Sequence, residues 1–332
     1  MMHKSMLPII LFLLPGIAQA VPQGCAELAA DRYGKDLWIV EAGQAPRRVF
    51  SMERPVDAGS WSPDGRLIAF DAPPSTYASP LEVIIAEATG RILVRFKVDE
   101  GYSKGGLRLI DGVEWHGPRT LVTRGGAGPN GGYVDVWRLS ENYSAAEKVR
   151  RTAILGGSCA VSPSTRYVAC AGWDMIMIYD SLSPTEGIVD DQRVFASPPS
   201  PDERIEGNMA WNSAGTVLYA VRPLSGKRVL TSIEQNPAAT EGWSINDREL
   251  AGIASPVVSL EVDAHGALLL SDDRQVAYRV EGGPASTRSD AVARVISAAE
   301  LRRPRTVEIA SDRGKLQLNV LDTHCQGRAA QQ

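Results

Sequence analysis

The chain has 332 residues, of which 44% are hydrophobic and 22% charged, an ordinary composition for a globular protein with a substantial core. Its formal net charge of −4 at pH 7 argues against a nucleic-acid or anionic-membrane partner, because both attract basic surfaces. The 31 Gly and 21 Pro residues are spread along the whole chain, which favours many short turns over long helices.

The first twenty residues, MMHKSMLPIILFLLPGIAQA, have the layout of a secretory signal peptide. A short basic start is followed by an apolar run over 7–14, a Pro-Gly break and the small residues Ala18 and Ala20. The apolar run is far shorter than the ~20 residues that a membrane-spanning helix needs, which disfavours the alternative of a membrane anchor. We predict cleavage after Ala20, a periplasmic or secreted mature protein of one domain over 21–332, and no membrane span.

The segment WSPDGRLIAF at 61–70 is the first copy of a pattern that recurs along the chain. Each copy has an anchor residue, usually apolar, then a polar turn and four to six apolar or β-branched residues, which together predict a tight hairpin. The copies recur at intervals of about 50 residues, a period typical of propellers. Their anchors are Trp61, Trp115, Val161, Trp211, Val262 and, in degenerate form, Ala310.

A third strand candidate follows each of the first five hairpins, and a weaker fourth candidate can usually be placed beyond it. Four strands in each of six copies predict an all-β fold, a six-bladed β-propeller with four-stranded blades. An open β-sandwich array is the alternative. The third strands are predicted at 81–87, 134–140, 175–181, 228–234 and 275–281, and fourth strands include 91–98 and 291–297.

The sixth copy lacks its third and fourth strands after the strand predicted at 315–322. Two strand candidates near the N-terminus, at 36–42 and 47–52, precede any hairpin and match the third and fourth strands of a blade. We therefore predict that this N-terminal pair completes the last blade, so that strands from both ends of the chain close the ring. Closure of this kind leaves only short, protected blade edges.

The four cysteines are expected to form two disulfides, as an even number does in an exported protein. Cys159 and Cys170 lie at equal distances from the centre of their hairpin turn, so they should face each other across the two strands. Ring closure would bring Cys25 near Cys325. A metal site is the weaker alternative, because there is no Cys-x-x-Cys pair and His is scarce.

The stretch SWSPDGRLIAFDA at 60–72 resembles the repeat of TolB-like β-propellers, whose units commonly read W-S-P-D-G-(K/R)-x-I-A-F. Later copies keep Trp115 and Trp211 but replace Asp-Gly by other turn residues, and the resemblance spans roughly 36–322. It implies the propeller fold and leaves the activity open. TolB itself carries an α/β domain ahead of its propeller, for which the few residues before 36 leave no room. The chain therefore resembles a free-standing relative rather than TolB.

The sequence carries no usable motif for nucleophilic or metal catalysis. Neither a Gly-x-Ser-x-Gly elbow nor a Ser-x-x-Lys pair is suitably placed, and the histidines beyond the signal peptide, His116, His265 and His324, are far apart in sequence. The glycine-rich stretch at 124–133 lacks the Gly-Lys-Ser/Thr ending of a phosphate-binding loop and is predicted to be a long flexible hairpin loop, with a binding lip as the alternative.

Three acidic residues just upstream of hairpin anchors are the candidate binding residues: Asp57, Asp111 and Glu206. All three would enter an innermost strand from the same end and could surround one mouth of the central channel. Clustered oxygens attract hard cations such as Ca²⁺, and Asn208 beside Glu206 extends the set. Solvated turn acids explain the same residues equally well.

We expect an exported, non-enzymatic propeller that binds another cell-envelope protein or a small ligand at one rim. No cofactor is expected apart from Ca²⁺ at the acidic mouth. The alternative is a metal-dependent hydrolase of the lactonase kind, in which channel carboxylates hold a divalent metal that polarises an ester. The fold alone does not decide between binding and catalysis.

Overall fold

The computed structural model describes residues 24–31, 35–72, 76, 80–100, 109–128, 131–155, 158–171, 175–180, 192–196, 205–239, 242–263, 265–274, 276–281, 291–296, 306–311 and 314–325. Every regular element in these ranges is a β-strand, and they contain no helix that is long and apolar enough to cross a membrane. The predicted signal peptide at 1–20 and its cleavage site lie outside the described residues.

The first three of five hydrogen-bonded sheets are antiparallel and have four strands each. Sheet 1 consists of β4 (Gly59–Trp61), β5 (Leu67–Ala72), β6 (Leu81–Glu87) and β7 (Ile92–Asp99). Sheet 2 consists of β8 (Leu109–Gly117), β9 (Thr120–Gly128), β10 (Gly131–Leu139) and β11 (Ala146–Leu155). Sheet 3 consists of β12 (Ser158–Val161), β13 (Tyr167–Ala171), β14 (Met175–Asp180) and β15 (Gln192–Ala196).

Sheet 4 has eight strands and contains two antiparallel four-stranded meanders. The first meander is β16 (Glu206–Trp211), β17 (Val217–Leu224), β18 (Lys227–Gln235) and β19 (Trp243–Ala251). The second is β20 (Val257–Val262), β21 (Leu268–Asp272), β22 (Ala277–Glu281) and β23 (Ala291–Ile296). A short parallel pairing joins β19 to β23, with Leu250 opposite Ala291 and Ala251 opposite Val292.

Sheet 5 joins the two ends of the chain. Its five strands lie in the order β24 (Thr306–Ser311), β25 (Gly314–Cys325), β1 (Cys25–Asp31), β2 (Asp36–Glu41) and β3 (Arg47–Ser51). β1 pairs antiparallel with β25, from Cys25 opposite Cys325 to Asp31 opposite Leu318. Strands from both termini therefore complete one sheet, as the sequence predicted.

The details of this closure differ from the prediction, because the N-terminus contributes three strands rather than two. β1 was not predicted, and it separates β25 from β2, so that Ala29 pairs with both Val320 and Trp38. The two predicted N-terminal strands are thus the fourth and fifth strands of sheet 5. The sequence of β1, CAELAAD, contains no β-branched or aromatic residue, so strand propensity gave no signal for it.

One turn geometry recurs between the first two strands of several meanders. In sheet 1 the Ser62 amide donates to the Leu67 carbonyl, and the Leu67 amide donates to the Ser62 hydroxyl, both at 2.9 Å. A side-chain oxygen on the residue that follows the anchor thus caps the turn, which explains why this residue is polar in four of the copies. The equivalent residues of the later turns are Ser162, Asn212 and Asp263. The fourth turn residue has a positive φ: Gly65, Thr165, Gly215 and Gly266.

The apolar faces of successive sheets pack against each other. Separate buried clusters join sheet 5 to sheet 1, sheet 1 to sheet 2, sheet 2 to sheet 3, and sheet 3 to sheet 4. A strand between two such clusters is covered on both faces, and all six residues of β5 are accordingly buried. This packing sets the sheets side by side in chain order around an inner space.

Candidate functional site: the inner cavity

A cavity of about 500 Å³ lies where the inner strands approach each other. Its walls come from the first strand of each meander, β4, β8, β12, β16 and β20, together with the last four residues of β25 and Arg124 of β9. The residue directly before the hairpin anchor lines the cavity in five successive copies: Ser60, Glu114, Ala160, Ala210 and Glu261. The repeating pattern therefore places equivalent positions around one space.

Side chains of the cavity wall bridge neighbouring inner strands. The Asp322 carboxylate of β25 accepts a hydrogen bond from the Trp61 amide of β4 at 2.8 Å. The Asn208 side chain of β16 accepts from the Leu260 amide at 2.7 Å and donates to the Leu260 carbonyl at 2.8 Å. These bonds satisfy backbone groups on the inner edges of the sheets and hold the wall together.

Arg124 brings a fixed positive charge to the wall. Its Nη2 donates to Glu114 Oε1 at 2.9 Å, and its Nη1 donates to the Cys159 carbonyl of sheet 3. The Arg124 side chain packs over Gly112, where a Cβ would stand 2.5 Å from Arg124 Nε, so a larger residue at 112 would have to displace this side chain. Glu114 also faces His116, whose Nε2 lies 3.7 Å from Glu114 Oε2. The Arg124–Glu114 pair is thus bonded to sheet 3 through the Cys159 carbonyl and lies beside His116.

Three indole rings line the cavity at anchor positions, Trp61, Trp115 and Trp211. The Trp61 ring lies 6.2 Å from the His324 ring of sheet 5, and the Trp115 ring lies 6.4 Å from that of Tyr143. Trp211 donates its Nε1–H to the Ala160 carbonyl of sheet 3 at 3.1 Å. Trp61 and Trp211 thus join neighbouring sheets, and all three indoles present aromatic surface at the wall.

Several polar atoms on the lining residues are buried and have no hydrogen-bond partner within the described part of the chain. Such atoms are uncommon in native proteins, and each one calls for an explanation. They belong to residues of β4, β8, β9 and β25, which form one side of the cavity: Ser60 Oγ, Trp61 Nε1, Trp115 Nε1, Arg124 Nε and Thr323 Oγ1.

Asn208 is the one of the four predicted binding residues that the structure places in the cavity wall. Asp57, Asp111 and Glu206 are not among the lining residues of the described ranges. Glu206 accepts hydrogen bonds from Arg228 Nε at 2.8 and 3.0 Å and from a backbone amide of β20, so a cation there would compete with a guanidinium. No group of three or more His, Cys, Asp or Glu side chains in the described ranges could hold a metal ion.

Asp57 lies beside a buried carboxyl, that of Asp71. Asp71 Oδ1 accepts the amides of Asp57 and Ala58 at 3.0 and 2.9 Å. Burial raises the pKa of Asp71 to about 7, and the Asp57 carboxylate acts in the same direction. Burial also raises the pKa of Asp57 and of Asp111, although Arg124 opposes the shift at Asp111. These three carboxyls therefore hold their protons to a higher pH than a fully solvated acid does.

The structure contains both of the disulfides that the sequence predicted. Cys159 and Cys170 are directly opposed in β12 and β13, as Cys25 and Cys325 are in β1 and β25. Cys159 and Cys325 also line the cavity. Because disulfides persist in oxidising compartments, the two bonds are consistent with an exported protein.

None of the charged residues of the cavity wall was predicted as a binding residue from the sequence. Arg124 begins the glycine-rich stretch that was predicted to be a flexible loop, whereas β9 and β10 continue through most of that stretch. Glu114 and Glu261 could have been found, because each stands directly before an anchor. Asp322 and His324 lie in the degenerate last copy, whose alignment to the pattern is too weak to show their position.

No protein-family model matches the chain, and no curated protein matches it. Among solved structures, the WD40 β-propeller domain of Doa1 is 10% identical with a TM-score of 0.52, over 92% of this chain and 95% of that chain. A periplasmic gluconolactonase of Pseudomonas aeruginosa, PpgL, is 14% identical with a TM-score of 0.52, over 89% and 91%. The chain has a β-propeller fold.

The relationship of this propeller to TolB is a separate question. TolB from Acinetobacter baumannii is 13% identical over 90% of this chain and 64% of that chain, with a TM-score of 0.42. That TM-score is too low to support the TolB-like resemblance of the sequence. At 10 to 14% identity these similarities show the fold alone, and the activity of the propeller has to be argued from its own cavity.

Proposed function

We propose that the chain is an exported six-bladed β-propeller that binds a small polar ligand in its inner cavity. Sheets 1 to 3 would each form one blade, the two meanders of sheet 4 would form two, and sheet 5 would be the closing blade with β24 as an additional strand. Six inner strands around one cavity support this count. Export is supported by the signal-peptide pattern at 1–20 and by the two disulfides.

The observation that carries the ligand-binding proposal is the cavity itself. Its volume of about 500 Å³ lies within the range of roughly 300 to 1,000 Å³ that small-molecule sites occupy. Aromatic surface and a few convergent polar groups are the usual lining of such sites, and both are present here.

Binding is proposed in preference to metal-dependent hydrolysis because of where the predicted carboxylates lie. A lactonase-like site needs several oxygen ligands that converge on one metal ion in the channel. Asn208 lines the cavity, but it is already bonded to both backbone groups of Leu260. Glu206 is held by Arg228.

The proposal is tested by retention of a small molecule from a deproteinised cell extract, measured by native mass spectrometry. Trp115→Ala removes an indole from the cavity wall. Trp38→Ala is the matched control, because Trp38 is also partly buried with an unpartnered Nε1 among the described residues but does not line the cavity. We expect the wild type and the control to retain a ligand that Trp115→Ala loses. Retention that is equal in all three proteins, or absent from the wild type, would contradict the proposal.

A further inference from the structure

We propose that the disulfide between Cys25 and Cys325, the closing disulfide, positions one wall of the inner cavity and makes ligand binding there sensitive to reduction. The inference rests on the proposed function and names a form of regulation for the same site. It is carried by residues 322–325 of β25, the wall segment, all four of which line the cavity. Opening of the closing disulfide loosens this segment while the other lining strands stay in place.

The wall segment is held in its sheet differently from the other lining strands. Each of the inner strands β4, β8, β12, β16 and β20 pairs with the next strand of its own meander through a hairpin. The wall segment pairs instead with β1, from Asp322 opposite Leu28 to Cys325 opposite Cys25, and β24 pairs with an earlier part of β25. Cys25 and Cys325 are 300 residues apart, so no local turn restores this pairing once it opens. The closing disulfide is the covalent bond that keeps the two strands together.

Side chains of the wall segment also fix their neighbours in sheet 1. Asp322 Oδ2 accepts a hydrogen bond from the Trp61 amide at 2.8 Å, and Trp61 itself lines the cavity. The His324 ring lies 6.2 Å from the Trp61 ring and packs over Gly65, where a Cβ would overlap the imidazole. Displacement of the wall segment therefore takes a carboxylate and an imidazole out of the cavity wall and releases the Trp61 amide.

The hairpin disulfide, between Cys159 and Cys170, provides a comparison within the same molecule. Cys159 also lines the cavity, but the two cysteines are only 11 residues apart. Their turn is held by hydrogen bonds as well, since the Ser162 amide donates to the Tyr167 carbonyl at 2.8 Å and the Tyr167 amide donates to the Ser162 hydroxyl at 2.9 Å. β12 and β13 therefore stay paired when this disulfide is opened. Sensitivity to reduction is expected from the closing disulfide.

Reduction by a dithiol opens the closing disulfide in two exchange steps. One thiolate of the dithiol attacks a sulfur of the disulfide and forms a mixed disulfide, and the second thiol of the dithiol then displaces the protein sulfur. Cys25 and Cys325 become thiols, and the two electrons and two protons they gain come from the dithiol, which is oxidised to a cyclic disulfide. Because Cys325 lines the cavity, the bond that breaks lies at the cavity wall.

The position of His324 tests the inference without any ligand. The chain beyond the predicted signal peptide has three histidines, so ¹³C-labelled histidine gives three imidazole signals in an NMR spectrum, and His324→Gln identifies the signal of residue 324. The protein is the double variant Cys159→Ala/Cys170→Ala, in which the closing disulfide remains. We expect dithiothreitol to shift or broaden the His324 signal, because the imidazole moves away from the Trp61 ring. An unchanged signal after reduction that mass spectrometry shows to be complete overturns the inference.

Retention of a small molecule from the deproteinised cell extract, measured by native mass spectrometry, tests the effect on binding. The oxidised and reduced forms of the same double variant are compared, so the two samples differ in the closing disulfide alone. If the wall segment is in place in about one tenth of the reduced molecules, the apparent affinity falls about tenfold. Circular dichroism monitors the fold. A reduced protein that is unfolded overturns the inference, because the bond would then maintain the whole structure rather than the wall.

Gly65→Ala and Gly266→Ala form a matched pair that leaves both disulfides intact. Both glycines occupy the fourth position of a hairpin turn, with φ of 70° and 78°, so the backbone strain is similar in the two variants. A Cβ at 65 would overlap the His324 ring, whereas a Cβ at 266 would meet no atom of the described chain within 4 Å. We expect Gly65→Ala to displace the His324 signal and to lower retention, and Gly266→Ala to leave both unchanged.

The outcomes separate this inference from the proposed function. If the oxidised double variant retains a small molecule and its reduction does not lower the retention, the inference is wrong and the cavity remains the proposed binding site. If the oxidised double variant retains nothing although the wild type does, the glycine pair decides, and equal retention in Gly65→Ala and Gly266→Ala overturns the inference. If the wild type retains nothing, the proposed function fails, and the inference that rests on it fails as well.

Discussion

Removal of the disulfide between the chain ends should cost much more stability than removal of the hairpin disulfide. Cys25 and Cys325 are 300 residues apart in sequence, whereas Cys159 and Cys170 are 11 apart. Loop-closure entropy then gives about 6 kcal/mol at 25 °C for the first bond and about 3 kcal/mol for the second. The loss of packing is similar in the two Cys→Ala double variants, because all four cysteines are buried. The difference of about 3 kcal/mol therefore reports the closure of the chain ends.

Urea unfolding followed by tryptophan emission measures the difference. The double variant Cys25→Ala/Cys325→Ala should have the lower midpoint and also a larger m-value, because its unfolded chain loses the longest cross-link and exposes more surface. Cys159→Ala/Cys170→Ala is the internal control. Equal losses of stability in the two variants, or a larger loss in the hairpin variant, would refute the account of sheet 5 as a sheet closed by both termini.

Three further predictions concern a buried acid, a tight packing contact and the N-terminus. The Asp71 carboxyl holds its proton up to about pH 7 in the folded protein but releases it near pH 3.8 in the unfolded chain. Its contribution to stability is therefore complete below pH 4 and is lost as the pH rises through 7. Urea unfolding of the wild type should show a loss of about 2 to 3 kcal/mol between pH 5 and 8 relative to Asp71→Asn, and parallel pH profiles would contradict this. Gly207→Ala should destabilise the protein more than Gly226→Ala, by roughly 1 kcal/mol or more in thermal or urea unfolding. Both residues have a positive φ, but only a Cβ at 207 would meet backbone, at 2.8 Å from Val258. Mass spectrometry of the exported protein should show a mature chain that begins at Val21, and an intact N-terminus would exclude the predicted cleavage.

The hairpins could be predicted from sequence because their chemistry is local. Ser62 and Gly65 sit within one turn, and the same oxygen acceptor and positive φ recur at Ser162 and Thr165. The third strands at 81–87 and 175–181 were placed within a residue of β6 and β14, because their apolar character is continuous between clear turns. The symmetry of a hairpin about its turn likewise predicts that Cys159 lies opposite Cys170, and the observed register agrees.

The composition of the cavity wall could not be predicted, because distant contacts decide it. Asp322 reaches Trp61 across 261 residues, and Arg124 reaches the Cys159 carbonyl across 35. The identity of the innermost strand in sheet 5 depended on a single strand that sequence reasoning missed. Had the N-terminal pair been the third and fourth strands, the first strand of the sixth copy, now β24, would have lined the cavity.

The insertion of β1 against the end of β25 changes that outcome. It makes residues 322–325 the inner wall, which brings a carboxylate, a hydroxyl and an imidazole to the cavity and sets Cys325 opposite Cys25. β24 instead pairs with the earlier part of β25, from Gly314 to Asn319, and contributes no residue to the lining in the described ranges. A strand without β-branched or aromatic residues therefore decides the chemistry of one side of the cavity, although none of its own side chains is among the lining residues described. The disulfide between Cys25 and Cys325 is expected whether or not β1 lies between β25 and β2, because ring closure alone brings the two chain ends together. The chemistry of the cavity wall, by contrast, depends on which strand lies next to β25.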